Sequence, residues 1–403
     1  MVSEYLKANP QDQDAVGIMS ELVVVTTPYQ QAEKQLVDLL DKNPDNLEVR
    51  ARLAKLYFDN GKYDQVLFRT ENMSDDVIRS QPSLMELRGK ALFNQGHADG
   101  AAKVWEKWVK LAPNSVLANF YYADSLVKSN QLEAALASLE TCRRLNPEYL
   151  PARISLVRVT AQTGDMDKAF KEMRQLQSEM REDRADVWYT QGWLELNAGK
   201  YAEAEQALQK SLSLQATPET AMLLFATLNS QGRGDEAVAS LAGWQEKFPQ
   251  STGLMAVLGQ TYIARKETDK AVDVYRQLLA VEPGSVVALN NLAWLTRKTD
   301  PKQAMEFATS ASALAPEDPY VMSTMATLLV ESGQAADGEQ LLRKAVALHP
   351  DNVQIKLDLG RLLLSAGKRD EARPYLEEVV VSKGNAGLVA EARELLKSGV
   401  TGG

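Results

Sequence analysis

One pattern recurs along the chain at intervals of 33 to 35 residues, and it limits the possible folds more than any other feature. In its clearest copy, residues 252–283, Met255, Gly259 and Tyr262 are spaced i, i+4 and i+7, so they share one face of a helix. A second apolar helix face follows, and a proline ends it. The small residues Gly259 and Ala271 stand where two antiparallel helices must approach closely. Each copy therefore predicts a helical hairpin.

Eleven full copies are present, and small residues at two positions set their register. The eighth residue is Gly or Ala in eight copies, and the twentieth is Ala in nine. We predict three parts: residues 1–12 as the end of a truncated preceding repeat (its second helix), residues 13–385 as eleven tandem repeats, and residues 386–403 as a capping helix with a flexible tail. The repeats begin at residues 13, 47, 82, 116, 150, 185, 218, 252, 286, 319 and 353.

Polar and small residues mark the helix ends inside each hairpin. Glycines stand between the first helix (helix A) and the second (helix B), where a positive φ costs little: Gly61, Gly96, Gly164, Gly199, Gly232, Gly333 and Gly367. In the ninth repeat Asp300-Pro301 replaces this turn, because Pro fits the first turn of a helix. Aspartates begin helix B in six repeats, where we expect them to cap free N–H groups and to meet the positive end of the dipole: Asp64, Asp99, Asp167, Asp235, Asp269 and Asp370.

The pattern resembles the tetratricopeptide repeat (TPR), W-x2-L-G-x2-Y followed by A-x3-F and P, with Met255 at the Trp position and Tyr275 at the Phe position. The resemblance implies an all-α fold, a right-handed α-solenoid (superhelix) of about eleven TPR helix–turn–helix repeats with a C-terminal capping helix. It also implies a protein that binds other proteins and catalyses no reaction.

Composition and isolated reactive residues exclude several functions. The net charge of −9 argues against nucleic-acid binding, and no run approaches the length of a membrane span. His97 and His349 lie about seven repeats apart and Cys142 is the only cysteine, so we predict no metal site. No phosphate-binding loop is present, and we predict no cofactor and no catalytic residue. Cys142 and the Trp105 and Trp108 pair are expected to pack in the core.

In the TPR family, positions 2, 5, 9, 12 and 13 of each helix A face a concave groove, and aromatic side chains there can anchor a protein or peptide partner. The candidates are Phe58, Phe93, Phe120, Asp124, Arg158, Tyr189, Trp193, Gln260, Asn290, Trp294, Arg297, Tyr320 and Arg361. Nine acidic residues at these positions nearly balance seven basic ones, so the ligand is not a simple polyanion. The basic residues are Lys55, Lys90, Lys128, Arg158, Arg297, Lys298 and Arg361. Position 9 is never Asn, which argues against the carboxylate clamp of the family's chaperone adaptors.

Residues 235–251, 288–316 and 327–352 resemble the C-terminal repeats of bacterial TPR lipoproteins associated with exosortase/PEP-CTERM protein sorting and exopolysaccharide clusters. Shared features are the Leu-Asn-Asn-Leu-Ala-Trp helix, the short Asp-Pro turn and the Trp before Phe-Pro. The resemblance implies a lipid-anchored envelope protein in the periplasm. The alternatives are a cytoplasmic TPR adaptor, co-chaperone-like, and the TPR arm of a larger enzyme or outer-membrane export protein. Because the chain begins halfway through a hairpin, we expect it to be cut from a longer array.

Overall fold

The computed structural model describes residues 2–179, 183–382 and 385–398. These residues form 25 α-helices and no β-strand, which confirms the predicted all-α class. Backbone packing divides the chain into two compact units, Met1–Leu214 and Gln215–Gly403. Each unit is a succession of antiparallel helical hairpins, the architecture of a TPR solenoid.

The described part of the first unit contains fourteen helices. They are α1 (Val2–Ala8), α2 (Gln13–Thr26), α3 (Tyr29–Lys42), α4 (Leu47–Asp59), α5 (Tyr63–Arg69), α6 (Asp75–Ser80), α7 (Ser83–Asn94), α8 (Ala98–Leu111), α9 (Val116–Lys128), α10 (Leu132–Leu145), α11 (Leu150–Gln162), α12 (Met166–Glu179), α13 (Ala185–Asn197) and α14 (Tyr201–Leu214). The A helices of the repeats are α2, α4, α7, α9, α11 and α13.

The described part of the second unit contains eleven helices. They are α15 (Pro218–Ser230), α16 (Gly234–Lys247), α17 (Thr252–Ala264), α18 (Thr268–Val281), α19 (Val286–Thr296), α20 (Pro301–Leu314), α21 (Pro319–Glu331), α22 (Ala335–Leu348), α23 (Val353–Ser365), α24 (Arg369–Val381) and α25 (Ala386–Ser398). The A helices are α15, α17, α19, α21 and α23, and α25 packs against α23 and α24. The predicted tail, residues 399–403, lies outside the described residues.

The turns within the hairpins have the predicted backbone geometry. All seven predicted glycines have a positive φ, between 69° and 93°. Asn130 (φ 56°) and Lys266 (φ 60°) adopt the same conformation in two turns that have no glycine. Asp300 caps α20 by accepting a hydrogen bond from the Gln303 backbone N–H at 3.0 Å, and Pro301 is the first residue of that helix.

The small residues at the eighth position allow the close helix approach that the sequence predicts. At Gly259 a Cβ atom would lie 2.6 Å from the Tyr275 ring, and at Gly89 it would lie 2.0 Å from Nε1 of Trp105. Real Cβ atoms do not come this close to a neighbour, so larger residues would force the helices apart. Each glycine therefore provides the space for a large helix-B side chain.

The predicted core residues Cys142, Trp105 and Trp108 are buried, which confirms their packing role. Burial also raises the pKa of the Cys142 thiol to about 11. A thiol with this pKa is protonated at neutral pH, and only the thiolate is a strong nucleophile. Cys142 is therefore a small core residue and not a reactive one.

The expected capping role of the helix-B aspartates is wrong. Asp64, for example, is the second residue of α5, whereas a capping side chain must come from the residue before the helix. The N-cap residues Lys62 and His97 make no side-chain cap hydrogen bond. Two B helices are capped by the aspartate that precedes them, Asp165 before α12 and Asp300 before α20. Side-chain caps also begin seven A helices, at Asp12, Asn46, Ser115, Thr217, Ser251, Asp318 and Asn352. The aspartates keep only their favourable position in the first turn near the helix dipole.

The second repeat departs from the regular hairpin. Its helix B is short, because α5 ends at Arg69 and the chain turns at Asn72 (φ 51°) before α6. Arg88 of α7 stabilises this ending, since its Nη1 donates to the carbonyl oxygens of Leu67 at 3.0 Å and Thr70 at 3.1 Å. These carbonyls have lost their helical partners, so the arginine supplies the hydrogen bonds that the interrupted helix lacks.

Candidate functional site

Two recesses open between neighbouring A helices of the first unit, and groove positions of the repeat line both. The α4–α7 recess, of about 460 Å³, is lined by Glu48, Ala51, Arg52, Lys55, Phe58, Asp59, Gln81, Ser83, Glu86, Leu87 and Lys90. The α9–α11 recess, of about 210 Å³, is lined by Phe120, Ala123, Asp124, Val127, Lys128, Leu139, Ser155, Arg158, Val159 and Gln162. The structure thus brings the predicted residues Phe120, Asp124 and Arg158 together and places Phe58 in the other recess.

Each basic side chain of the α4–α7 recess forms an ion pair with a carboxylate of the same recess. The pairs are Arg52–Glu48 (2.5 Å), Lys55–Asp59 (2.9 Å) and Lys90–Glu86 (2.5 Å). Glu86 also accepts a hydrogen bond from the hydroxyl of Tyr121 on α9 at 3.0 Å, and Lys90 lies 4.8 Å from the centroid of the same ring. Three bases and three acids therefore cancel within this recess.

The charges of the α9–α11 recess are arranged differently. Lys128 Nζ lies 5.7 Å from the centroid of the Phe93 ring on α7, and the Arg158 guanidinium lies 5.2 Å from the Trp193 ring on α13. Among the described residues, neither cation has a carboxylate oxygen within 4.0 Å. Asp124 lies in the same recess, where loss of hydration raises the pKa of its carboxyl despite the opposing charges of Lys128 and Arg158.

The predicted aromatic residues of the first unit are half-buried and contact neighbouring side chains. Phe58 packs on Tyr63 with ring centroids 5.5 Å apart, Phe93 on Trp105 at 6.2 Å, and Phe120 on Tyr149 at 5.4 Å. Tyr189 and Trp193 are likewise half-buried. Each ring keeps only part of its surface available to a ligand, and the remainder holds adjacent helices together.

In the second unit, the ninth repeat presents its predicted residues on α19 and just after it. Trp294 is 39% exposed, and the Arg297 guanidinium lies 3.7 Å from its ring centroid. Arg297 also lies 3.6 Å from a carboxylate oxygen of Glu331 on α21. Asn290, one helix turn before Trp294, is half-buried, and its carboxamide oxygen has no hydrogen-bond partner among the described residues.

The other predicted residues of the second unit are exposed. Gln260 on α17 is exposed, and Tyr320 at the start of α21 is 57% exposed. Arg361 on α23 pairs with Asp358 at 3.2 Å and with Glu391 of α25 at 2.5 Å. Arg361 therefore links the last repeat to the final helix.

Position 6 of helix A was missed as a groove position. Arg52, Tyr121 and Ser155 occupy it, and they line a recess or bond to a residue that does. Asp358 occupies it in the last repeat and accepts a hydrogen bond from Ser323 at 2.5 Å. The sequence does contain a signal for this position. It is a polar side chain at position 6, directly after groove position 5.

The described residues offer neither a metal-binding cluster nor a membrane-spanning helix. Within residues 2–179, 183–382 and 385–398, no group of three or more His, Cys, Asp or Glu side chains is placed to hold a metal ion. None of the helices in these ranges is long and apolar enough to cross a membrane.

Solved structures and curated relatives resemble the chain along much of its length. The yeast Tom70 structure aligns over 98% of this chain and 94% of that chain, at 13% identity and a TM-score of 0.48. The structure of the APC/C hetero-tetramer Cut9-Hcn1 aligns over 99% of this chain and 92% of that chain, at 15% identity and a TM-score of 0.46.

Among curated proteins, TPR repeat-containing protein PA4667 of Pseudomonas aeruginosa is 28% identical over 171 residues, which cover 41% of this chain and 28% of that protein. The human protein O-mannosyl-transferase TMTC1 is 24% identical over 194 residues, which cover 47% of this chain and 22% of that protein. The chain thus matches less than a third of the length of these two relatives. TPR repeat-containing protein YpiA of Bacillus subtilis is 22% identical over 391 residues, covering 95% of this chain and 83% of that protein.

Family models described as tetratricopeptide repeat match segments in both units. One matches residues 29–69, 126–194 and 329–396, a second matches residues 86–141 and 189–252, and a third matches residues 254–286. Together these segments cover more than half of the chain, and they coincide with the helical hairpins described above. The chain therefore belongs to the tetratricopeptide repeat family.

Proposed function

We propose that the protein is a non-enzymatic scaffold that binds a segment of a partner protein along the A helices of its first unit. The observation that carries this proposal is the pair of recesses between neighbouring A helices. Both are lined by groove positions of the repeat, with apolar side chains beside charged ones. This mixture is typical of peptide-binding surfaces, where apolar contacts contribute affinity and a few polar groups fix the register.

Site-specific cross-linking tests this surface. The photoreactive residue p-benzoyl-phenylalanine replaces Lys55 in the α4–α7 recess or Gln162 in the α9–α11 recess. It replaces Lys171, exposed on α12, as the matched control. Irradiation in cells should give the same covalent protein adduct from both recess positions and not from Lys171, and mass spectrometry identifies the adduct. Adducts from Lys171 alone would place the binding surface on the B helices.

We further propose a cell-envelope setting, in exopolysaccharide assembly or export or in PEP-CTERM protein sorting. This proposal is supported by the resemblance of residues 235–251, 288–316 and 327–352 to the TPR lipoproteins of those systems. Fractionation of the native organism, with an antibody against this chain, should find the protein with membranes and facing the periplasm. Recovery in the cytoplasmic fraction would favour the cytoplasmic adaptor, and a protein far heavier than this chain with an added domain would favour the arm of a larger enzyme or export protein.

A further inference from the structure

Most cations at the groove positions are already neutralised by the protein itself. Of the seven, five have a carboxylate oxygen within 4.0 Å. The pairs are Lys55–Asp59 (2.9 Å), Lys90–Glu86 (2.5 Å), Arg297–Glu331 (3.6 Å), Lys298–Glu331 (2.8 Å) and Arg361–Asp358 (3.2 Å). In the part of the chain that the structure describes, Lys128 and Arg158 form no such pair, and both line the α9–α11 recess.

Aromatic rings, not carboxylates, contact these two cations. Phe93 lies beside Lys128 and Trp193 beside Arg158, at centroid distances of 5.7 Å and 5.2 Å. A ring attracts a cation through its electron-rich face but accepts few of its hydrogen bonds. The N–H groups of the ammonium and the guanidinium are consequently available to an incoming acceptor.

The remainder of the recess determines the size and character of the occupant. Phe120, Val127 and Val159 form apolar walls, and the cavity volume of about 210 Å³ is less than half that of the α4–α7 recess, about 460 Å³. Asp124 contributes one negative charge, which leaves the recess with one net positive charge. A single carboxylate complements this charge, whereas a run of acidic residues would meet repulsion from Asp124.

We propose that the α9–α11 recess binds one acidic side chain of an extended partner segment, with a neighbouring apolar side chain against Phe120 and Val127. This inference rests on the proposed function and names the chemistry of the partner. Phe93 of α7 and Trp193 of α13 lie beside the two cations, so the surface formed by the A helices continues on both sides of the recess and a bound segment extends in both directions. The carboxylate therefore belongs to an internal Asp or Glu and not to a chain end.

Selection from a phage-displayed library of random peptides tests the inference. The peptides are joined to the coat protein through their C-terminal ends, so they carry no free terminal carboxylate. The wild-type chain should enrich peptides with Asp or Glu beside an apolar residue. The double variant Lys128→Glu, Arg158→Glu should lose this preference. The control Lys103→Glu, Lys171→Glu makes the same change in charge at exposed helix-B positions and should keep it.

Measured affinities make the test quantitative. Replacing the enriched acidic residue by Gln or Asn in a selected peptide should weaken binding about tenfold or more, because hydrogen bonds between charged groups are lost. Replacing it by Lys should restore binding to the double variant, and circular dichroism checks that each variant is folded. Enriched peptides without an acidic preference, or a preference that survives in the double variant, would overturn the inference and leave the proposed function standing. No enrichment at all would overturn both.

Discussion

The α4–α7 recess and the α9–α11 recess lie at equivalent places in the repeat, but their charges are satisfied differently. Lys90 pairs with Glu86 one helix turn earlier at 2.5 Å. Lys128 has Asp124 at the same spacing, yet it lies against the Phe93 ring of the preceding repeat. Aspartate is one methylene shorter than glutamate, so its carboxylate reaches less far along the helix. The same spacing on one helix therefore leaves a cation paired in one recess and unpaired among the described residues in the other, depending on the length of the acidic side chain and on the ring beside the cation.

The largest effect should come from a change that forces apart the hairpin carrying one wall of the α4–α7 recess. Gly89→Leu places a side chain where a Cβ atom alone would lie 2.0 Å from Nε1 of Trp105, so α7 and α8 must separate. We expect a loss of roughly 1–3 kcal/mol in the free energy of unfolding, as is typical of overpacked cores. Urea titration followed by circular dichroism measures this loss.

Gly100→Ala is the matched control in the same hairpin. A Cβ atom at Gly100 would meet its nearest neighbours at 3.6 Å, an ordinary contact distance. The alanine should therefore stabilise α8 by roughly 0.5–1 kcal/mol, because glycine is unfavourable inside a helix. Equal effects of the two substitutions would contradict the assigned helix contact.

A smaller effect should distinguish the cations of the two recesses. Lys90→Met removes the ion-pair partner of Glu86, whose carboxylate still accepts a hydrogen bond from the Tyr121 hydroxyl. We expect a loss of about 0.5–1 kcal/mol, the upper range for a partly exposed pair. Lys128→Met breaks no ion pair in the described structure and should change stability by less than about 0.3 kcal/mol. The same urea titrations test the difference, and a larger loss at Lys128 would show that its charge is satisfied within the protein.

The sequence predicts the hairpins because their signals are local. Gly259 and Ala271 mark helix contacts through their size, and glycines such as Gly61 mark turns through their backbone freedom. The interruption between α5 and α6 is not predictable in this way, since it depends on Arg88, a residue of the next repeat. Long-range partners of this kind have no fixed spacing from the element that they stabilise.

The candidate site is predictable only in part for the same reason. Position in the repeat predicts Asp124 and Arg158 as groove residues, and the structure places both in one recess. Position in the repeat does not indicate that Trp193 lies beside Arg158 or that Glu331 neutralises Arg297. Those contacts join different repeats, and each repeat carries its own side chains on a common backbone. The contacts of a side chain at a groove position are therefore determined by two neighbouring repeats together.

The smallest effect should come from Asp124, the carboxylate that lines the same recess as Lys128 and Arg158. Loss of hydration raises the pKa of Asp124, and the positive charges of Lys128 and Arg158 only partly oppose this. A raised pKa in the folded state means that folding favours the protonated acid, so the ionised form reduces stability above that pKa. Asp124→Asn should consequently stabilise the protein at pH 7 by at most a few tenths of a kcal/mol, because the Asp124 side chain loses only part of its hydration and the solvent that still reaches it screens its charge. The gain should disappear at about pH 3, where Asp124 is protonated in both folded and unfolded chains. The stabilisation is measured as the difference in Tm between the variant and the wild type at pH 7 and at about pH 3. A loss of stability at pH 7 would mean that Asp124 is paired with Lys128 or Arg158 in solution, and that the recess lacks free cations.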